Sequence, residues 1–372
     1  RIGLEGALSG QGRSTREARF PTELGVPTKC LTTMDLQSFG VWCVLTHDNK
    51  VFAGTTDRQI SVWDANYRRF MGCMAGHSGA IRALTVWDDT LFSGSLDGSI
   101  IAWDIRTGKQ SYSLMGTAAG RADVRAQSRA VDSRSCVRAH VSCLLQYCER
   151  RRGAGHRAGV KSLATDGALL YSASMDATIN VWELRTGVNV ATMRGHYGSV
   201  NSVKLLDKHL ASASDDGSIK IWSTELSAIV MQNMRSGASM LTFQQQNPAD
   251  VQCAMSLEGH QGAVFSLAVF PPGPVHIFSG AADFMIRAWN YQTGQCVKVL
   301  SGHGNSVFSL CVASGMLFSG GKDKLIKVWA LKDLELVTNL PGHSAAVTSL
   351  WFDGVLLFSG SSDHSVKVWG VQ

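Results

Sequence analysis

The sequence lacks the features of a chain that crosses or enters a membrane. None of its apolar runs approaches the roughly eighteen consecutive residues that a spanning helix needs, and its N-terminal segment has no apolar core of the kind found in a secretory signal. We therefore expect a soluble protein of the cytoplasm, with the nucleus as the alternative and with no membrane partner. The chain opens on Arg1, which predicts that it is processed, truncated or a fragment of a longer protein.

The sequence also lacks a recognisable site for a cofactor, a metal or a phosphate group. No glycine-rich loop follows a strand-like run and opens a helix. The nine cysteines are odd in number, and several lie inside apolar strand-like runs, which favours reduced thiols over disulfides. Cys136, Cys143 and Cys148 lie near His140 in the sequence, but their spacing matches no compact pair of zinc ligands. We expect no cofactor and no metal.

Positive charge is concentrated in two segments. The net charge is +6, yet residues 117–152 contain eight arginines against three acidic residues, and residues 1–22 contain four arginines against two. The rest of the chain is close to neutral, so a general nucleic-acid-binding surface is not indicated and nucleic acid is not the expected partner. An RNA- or ribonucleoprotein-associated role through the arginine-rich segment stays an alternative.

What the sequence does contain is one pattern that recurs seven times. A β-branched run closes on tryptophan, and four of the six steps between these tryptophans are forty residues long: Trp63, Trp103, Trp182, Trp222, Trp289, Trp329 and Trp369. An aspartate precedes each tryptophan by six residues: Asp57, Asp97, Asp176, Asp216, Asp283, Asp323 and Asp363. A serine precedes six of these aspartates by four residues: Ser93, Ser172, Ser212, Ser279, Ser319 and Ser359. A Gly-His pair precedes the same six, by twenty or, once, twenty-three residues: His77, His156, His196, His260, His303 and His343. In the first repeat, Gln37 and Ala53 stand at the histidine and serine positions.

This pattern resembles the WD-repeat (WD40-type) β-propeller family, because four residue types recur in register. Each repeat also holds four short strand-like runs separated by turn residues. The resemblance implies an all-β, seven-bladed propeller of four-stranded antiparallel blades over residues 28–372. Residues 29–37 align with 295–303, so we expect the N-terminal strand to complete the last blade. The pattern is also loosely similar to propellers of RING and zinc-finger ubiquitin-ligase proteins and of atypical kinases.

Three segments fall outside the repeat. Residues 1–27 are predicted to be a basic, flexible N-terminal tail. Residues 117–155 and about 225–250 are predicted to be inserted loops. The first insertion is one repeat long and could instead be an eighth blade, but it lacks the aspartate and tryptophan of the pattern. The propeller itself is expected to be monomeric.

The serine, histidine and aspartate of each repeat are also the residue types of a hydrolase triad. Because the set occurs six times and ends on a tryptophan, we interpret it as a structural tetrad. In this tetrad the aspartate accepts from histidine, the serine hydroxyl holds the histidine, and the indole N–H reaches the serine. We therefore expect no enzyme, but a scaffold or adaptor that binds one or more proteins or peptides.

The resemblance implies that partners dock on the face that bears the histidine and aspartate turns, around the central channel. Two positions in each repeat are expected to point there. The fifth residue after the histidine gives Trp42, Arg82, Lys161, Asn201, Phe265, Phe308 and Thr348. The residue before the aspartate gives Thr56, Leu96, Met175, Asp215, Ala282, Lys322 and Ser362. Their composition is typical of a binding hot spot for an acidic or aromatic peptide, unless the aromatic side chains pack between blades instead.

Two boxes suggest an alternative function. Trp103-Asp104-Ile105-Arg106 and Trp182-Glu183-Leu184-Arg185 are similar to the WD-x-R box with which some WD-repeat proteins dock on adaptors of cullin-type ubiquitin ligases. This resemblance implies that Arg106 and Arg185 are docking residues of a substrate receptor. Glu183 departs from the expected aspartate, and both boxes run on into Thr-Gly, so a turn composition explains them as well.

Overall fold

The computed structural model describes residues 29–36, 39–114, 155–224, 250–251, 253–270 and 277–370, which form 29 β-strands and no helix. The predicted tail 1–27 and nearly all of the predicted loops 117–155 and 225–250 lie outside the described residues, so these three predictions stay untested. The strands form seven sheets, which we number as blades 1 to 7 in the order of their tryptophans.

The first strand of the chain, β1 (Lys29–Asp35), belongs to the last blade. In blades 1 to 6 the chain runs from the innermost strand to the outermost. Blade 1 consists of β2 (Val41–His47), β3 (Lys50–Thr55), β4 (Gln59–Asp64) and β5 (Phe70–Ala75). Blade 2 consists of β6 (Ile81–Trp87), β7 (Thr90–Ser95), β8 (Ile100–Asp104) and β9 (Gln110–Leu114). Blade 3 consists of β10 (Val160–Thr165), β11 (Leu169–Ser174), β12 (Ile179–Glu183) and β13 (Asn189–Met193).

The remaining blades follow the same order from inner to outer strand. Blade 4 consists of β14 (Val200–Leu206), β15 (His209–Ser214), β16 (Ile219–Ser223) and, after a further strand β17 (Asp250–Val251), β18 (Cys253–Leu257). Blade 5 consists of β19 (Val264–Val269), β20 (Ile277–Ala281), β21 (Ile286–Asn290) and β22 (Gln295–Leu300). Blade 6 consists of β23 (Val307–Ala313), β24 (Met316–Gly321), β25 (Ile326–Ala330) and β26 (Leu336–Leu340). Blade 7 consists of β27 (Val347–Phe352), β28 (Leu357–Ser361), β29 (Ser365–Gly370) and β1.

The N-terminal strand closes the ring. β1 pairs antiparallel with β29, from Lys29 opposite Gly370 to Asp35 opposite Ser365. The outer strand of blade 7 is therefore the strand that precedes blade 1 in the chain. The predicted seven-bladed antiparallel propeller and its predicted closure are both confirmed.

The hydrophobic core lies between the blades, because each sheet is covered on both faces by its neighbours. All six residues of β11 are buried, as expected for a strand without a solvent-facing side. Glycine on the second strand lets the next blade approach closely. A Cβ atom on Gly94 would lie 2.6 Å from Cγ1 of Val160, and one on Gly320 would lie equally close to Val347.

Blade 3 has a fifth strand that the sequence did not predict. β17 pairs in parallel with the outer strand β13, with Asp250 opposite Thr192 and Val251 opposite Met193. Asp250 was expected at the end of a loop. It is a strand residue instead, because the outer edge of a sheet offers unpaired backbone N–H and C=O groups. Half-buried Val251 also packs against the apolar cluster between blades 3 and 4.

Candidate interaction surface

Six of the seven blades contain a complete hydrogen-bonded tetrad. In blade 4, Nδ1 of His196 donates to Asp216 at 2.8 Å, and Nε2 accepts from the Ser212 hydroxyl at 2.7 Å. The Ser212 oxygen in turn accepts from Nε1 of Trp222 at 2.8 Å. The same three contacts measure 2.7 to 3.1 Å in blades 2, 3, 5, 6 and 7. The bonding order predicted for the tetrad is confirmed.

The tetrad serine is placed to hold the blade together. Ser212 has no exposed surface, and its oxygen is already shared between an imidazole and an indole. A nucleophile must be reached by its substrate, and the tetrad serines of the other five complete blades are equally buried. The six sets therefore have the residue types of a hydrolase triad, but their serines are buried and hydrogen-bonded within the blade.

Burial lowers the pKa of four tetrad histidines, which favours the neutral imidazole: His196, His260, His303 and His343. Burial lowers the pKa of His196, although the hydrogen bond and the charge of Asp216 act in the opposite direction. Burial raises the pKa of Asp216, but hydrogen bonds from Ser218, Tyr197 and His196 outweigh it and hold that pKa at about 2. A neutral imidazole can donate from one nitrogen and accept at the other, as the tetrad requires.

The tetrad aspartates also fix the turns on one end of the ring, which we name the tetrad face. Asp216 accepts from the backbone N–H of Tyr197 at 3.0 Å and from that of Ser218 at 2.9 Å, so it ties two turns together. The residue after the aspartate has a positive φ, between 64° and 83°, in every blade: Arg58, Gly98, Ala177, Gly217, Phe284, Lys324 and His364. These turns present a fixed backbone to solvent.

Each innermost strand has a β-bulge at its second residue. The strand pairing skips one residue between the first and third positions of all seven inner strands. The skipped residues are the predicted first set: Trp42, Arg82, Lys161, Asn201, Phe265, Phe308 and Thr348. A bulged residue lies outside the ladder, and its side chain is re-aimed by the local bend. We name these seven residues the bulge ring.

Members of the bulge ring contact one another from blade to blade. The guanidinium carbon of Arg82 lies 3.6 Å from the ring centroid of Trp42. Nζ of Lys161 donates to Oδ1 of Asn201 at 2.7 Å. The rings of Phe265 and Phe308 meet edge to face, with centroids 5.2 Å apart.

The ring is completed by contacts to the backbone. Nδ2 of Asn201 donates to the carbonyl of Val264 at 2.8 Å, and the Thr348 hydroxyl donates to the carbonyl of Val41. These contacts join blades 4 to 5 and 7 to 1, so the structure brings the predicted residues together around the axis. Trp42, Phe265 and Phe308 are half-buried. They are therefore neither fully exposed for docking nor fully packed between blades, which were the two outcomes considered from the sequence.

The second predicted set lies on the turns around the ring. Leu96 and Met175 are exposed, at 41% and 45%, and Lys322 is exposed as well. Asp215 accepts from Nδ2 of Asn201 at 2.7 Å and lies 3.7 Å from Nζ of Lys161. Thr56 is exposed, whereas the remaining two members are half-buried: Ala282 and Ser362.

Sequence reasoning missed two exposed aromatic residues on the same turns. Phe284 is 41% exposed and Tyr197 is 93% exposed. Phe284 follows the tetrad Asp283, and Tyr197 follows the tetrad His196. Their spacing from the tetrad was the available signal, but only the residue before the aspartate and the fifth after the histidine were considered.

Arg106 and Arg185 lie on the opposite end of the ring, which we name the opposite face, in turns that lead to the outer strands of blades 2 and 3. The Arg106 side chain is 75% exposed and pairs with Asp89 at 2.5 Å. Asp104 accepts from the backbone N–H of Arg106 at 2.8 Å, as an aspartate does in a tight turn. A turn role accounts for the first box, and ligase docking stays a prediction.

Metal and membrane features were sought in the same part of the chain. Among the residues that the structure describes, no group of three or more His, Cys, Asp or Glu could hold a metal ion, and no helix is long and apolar enough to span a bilayer. Cys136, His140, Cys143 and Cys148 lie outside the described residues.

Known proteins with the same repeat resemble this chain over most of its described length. The family model described as WD domain, G-beta repeat matches residues 28–64, 68–104, 148–183, 187–223, 251–290, 294–330 and 334–370. The structure is similar to the crystal structure of the WD40 β-propeller domain of Doa1, with a TM-score of 0.69 and 19% identity over 92% of this chain and 97% of that chain. At this identity the likeness supports the fold alone.

Three curated relatives show the same relationship in sequence. The chain is 26% identical to mitochondrial division protein 1 of Pyricularia oryzae, over 69% of this chain and 37% of that protein. It is 27% identical to an uncharacterized WD repeat-containing protein of Schizosaccharomyces pombe, over 48% of this chain and 54% of that protein. It is 23% identical to autophagy-related protein 16 of Arabidopsis thaliana, over 49% of this chain and 38% of that protein. The matches span between about a third and about half of these relatives. The first two matches each hold the outer strand of one blade and the three inner strands of the next. Because the seven family matches cover well over half of the sequence, the chain belongs to the WD40-repeat family.

Proposed function

We propose that this chain is a non-catalytic scaffold that binds proteins or peptides on its tetrad face. The observation that carries the proposal is the bulge ring, in which aromatic and cationic side chains from successive blades contact one another around the axis. Membership of the WD40 family supports the same role. The buried tetrads supply rigidity, and no tetrad serine is accessible for chemistry.

The turns around the bulge ring add exposed apolar surface. Leu96, Met175 and Phe284 are each more than 40% exposed, and each lies next to a tetrad aspartate. Because the aspartates and the ladder fix these turns, a partner would not have to order them on binding. Apolar side chains on a pre-formed surface, with a polar surround, are characteristic of protein docking sites.

The proposal is tested with two charge-introducing changes on the tetrad face and one on the opposite face. We expect Leu96→Glu combined with Met175→Glu to abolish the capture of partners in quantitative affinity purification, because two carboxylates would be placed in the apolar patch. Val355 is the matched control, since it is 65% exposed and lies on the opposite face, between β27 and β28. Val355→Glu should capture the same proteins as the wild-type chain.

If the double variant retains every partner and Val355→Glu loses them, the docking surface lies on the opposite face and the proposal is wrong. Thermal unfolding of all three proteins checks that the changes act on binding, since exposed substitutions usually alter stability by less than about 0.5 kcal/mol. The ligase-receptor and RNA-associated alternatives have no comparable support, because Arg106 has a turn role and the arginine-rich segment lies outside the described residues.

A further inference from the structure

Arg82 is the cation of the bulge ring that no described carboxylate neutralises. Its neighbour in the ring, Lys161, donates to Asn201 and lies 3.7 Å from Asp215. Arg82 has no hydrogen bond and no ion pair among the residues that the structure describes, and its described contact is the face of Trp42. A guanidinium has five N–H donors and no acceptor, so this side chain has donors to offer.

The stacking on Trp42 leaves those donors available. At 3.6 Å the indole takes one face of the planar guanidinium, whereas the N–H bonds lie in the plane and point outward from its edges. A stacked guanidinium is also restricted in rotation, which lowers the entropy lost when a ligand binds. The geometry suits a planar, two-oxygen anion approaching from the edge.

The Arg82 guanidinium forms no ion pair with a carboxylate of the described residues. Burial lowers the pKa of Arg82, whereas the neighbouring Cys43 thiol raises it. Burial also lowers the pKa of Lys161, which Asp215 raises and the charge of Arg82 lowers further, so the two cations are close enough to repel. A half-buried cation beside another cation is unfavourable for folding, and such arrangements occur where function requires them.

Positive charge continues into the channel and across the face. Lys204 is exposed on the innermost strand of blade 4, so it adds a cation along the axial channel. Among residues that flank a tetrad aspartate or follow a tetrad histidine, the cations are Arg58, Arg157, Lys322 and Lys324, and the one carboxylate is Asp215. This balance favours an anionic partner.

We propose that Arg82, stacked on Trp42, is the subsite for an Asp or Glu carboxylate of a bound peptide, with a neighbouring apolar side chain of that peptide packed on Leu96 and Met175. The inference rests on the proposed function, because it names the partner chemistry of the same face. A carboxylate fits better than a phosphate, since a dianion is usually held by several arginines and here a single guanidinium has free donors.

The test selects peptides from a phage-displayed library of random dodecapeptides on the wild-type chain, on Arg82→Gln and on Lys332→Gln. Lys332 is the matched control, because it is an exposed cation between β25 and β26, on the opposite face. Wild type and Lys332→Gln should enrich Asp or Glu with an apolar residue nearby, and Arg82→Gln should not. A synthetic selected peptide should bind Arg82→Gln about tenfold to a hundredfold more weakly.

A double-mutant cycle locates the contact. Replacing the peptide's acidic residue by its amide should weaken binding to the wild type equally, and should cause no further loss in Arg82→Gln. If Leu96→Glu abolishes peptide binding but Arg82→Gln leaves it unchanged, the carboxylate subsite is overturned and the proposed function still stands. If neither substitution weakens peptide binding, the subsite and the proposed function are both overturned. Tighter binding after replacement of the acidic residue by phosphoserine would reassign the subsite to phosphate.

Thermal unfolding separates a binding role from a structural one. Arg82→Gln should unfold at the wild-type temperature or above it, because a repulsive cation is removed. A loss of several degrees would show instead that Arg82 is a structural cap on Trp42.

Discussion

At the scale of single residues, the tetrad of blade 1 differs from the other six at one buried nitrogen. Nε1 of Trp63 is buried without a hydrogen-bond partner among the described residues, whereas the six other tryptophans of the repeat donate to serine at 2.8 Å. Ala53, fully buried, stands where those blades have the serine. A buried N–H without an acceptor costs about 1–3 kcal/mol.

Restoring the hydroxyl should therefore stabilise the protein. We expect Ala53→Ser to raise the free energy of unfolding by about 1 kcal/mol, because the new oxygen would accept from Trp63. Its proton can be directed to the carbonyl of Ser61, which lies opposite residue 53 in the ladder. Chemical denaturation measures the change, and Ala211→Ser is the control, since Ala211 is equally buried in an apolar cluster. Equal destabilisation by both substitutions would contradict the assignment.

At the scale of strands, the blades are joined by contacts that recur from one inner strand to the next. The Ser162 hydroxyl accepts from the backbone N–H of Val203 at 3.1 Å, and Ser309 accepts from that of Leu350 at 2.9 Å. Beside these polar contacts, a valine of each next blade approaches a glycine of the second strand in blades 2, 5, 6 and 7. The space above that glycine is part of the packing between blades.

Filling this space should destabilise the ring. In Gly320→Ala the new methyl group would lie 2.6 Å from Cγ1 of Val347, so we expect a loss of about 1–3 kcal/mol in denaturant unfolding. Gly304→Ala is the control, because the nearest atom to its Cβ would be 4.0 Å away. Adding Val347→Ala to Gly320→Ala should cost less than the two single changes together. If the losses of unfolding free energy in the two single variants simply add in the double variant, the contact between residue 320 and Val347 is not the cause of the destabilisation.

The sequence predicted the strands and their order better than the contacts between them. Spacing from the tetrad identified seven residues that form β-bulges, because the distance from tetrad to bulge is set within one repeat. That partners bind at these residues stays a prediction. The stacking of Arg82 on Trp42 joins equivalent positions of two repeats, and no spacing within a repeat encodes it. β17 was missed for a related reason, since two residues on a sheet edge carry no periodicity.

At the scale of the whole molecule, the tetrads make folding depend on pH. Burial lowers the pKa of four tetrad histidines below the value of 6.5 expected for an unfolded chain: His196, His260, His303 and His343. The unfolded state therefore binds more protons once the pH falls below about 6.5, and stability is lost in that direction. Asp216 and Asp363 act in the same direction at lower pH, because the pKa of each carboxyl is held at about 2 against an ordinary value of 3.8.

We accordingly expect the denaturation midpoint to be constant above about pH 7, to fall between about pH 6.5 and 5, and to fall again below about pH 4. Unfolding curves in urea across this range measure it. Replacing His196 by glutamine should make the first decline shallower, because one titrating group is removed. A midpoint that is unchanged between pH 7 and 5 would show that the histidines do not control the acid sensitivity.

The closure of blade 7 also determines how the ring responds to mechanical force. Lys29 and Gly370 are paired at the same end of the β1–β29 ladder, so a pull that separates the two ends of the described chain acts across the strands rather than along them. Such a load is borne by one pair of residues at a time and opens the ladder like a zipper. A propeller pulled by the two ends of its described chain would thus open first between β1 and β29, before any other blade is disturbed.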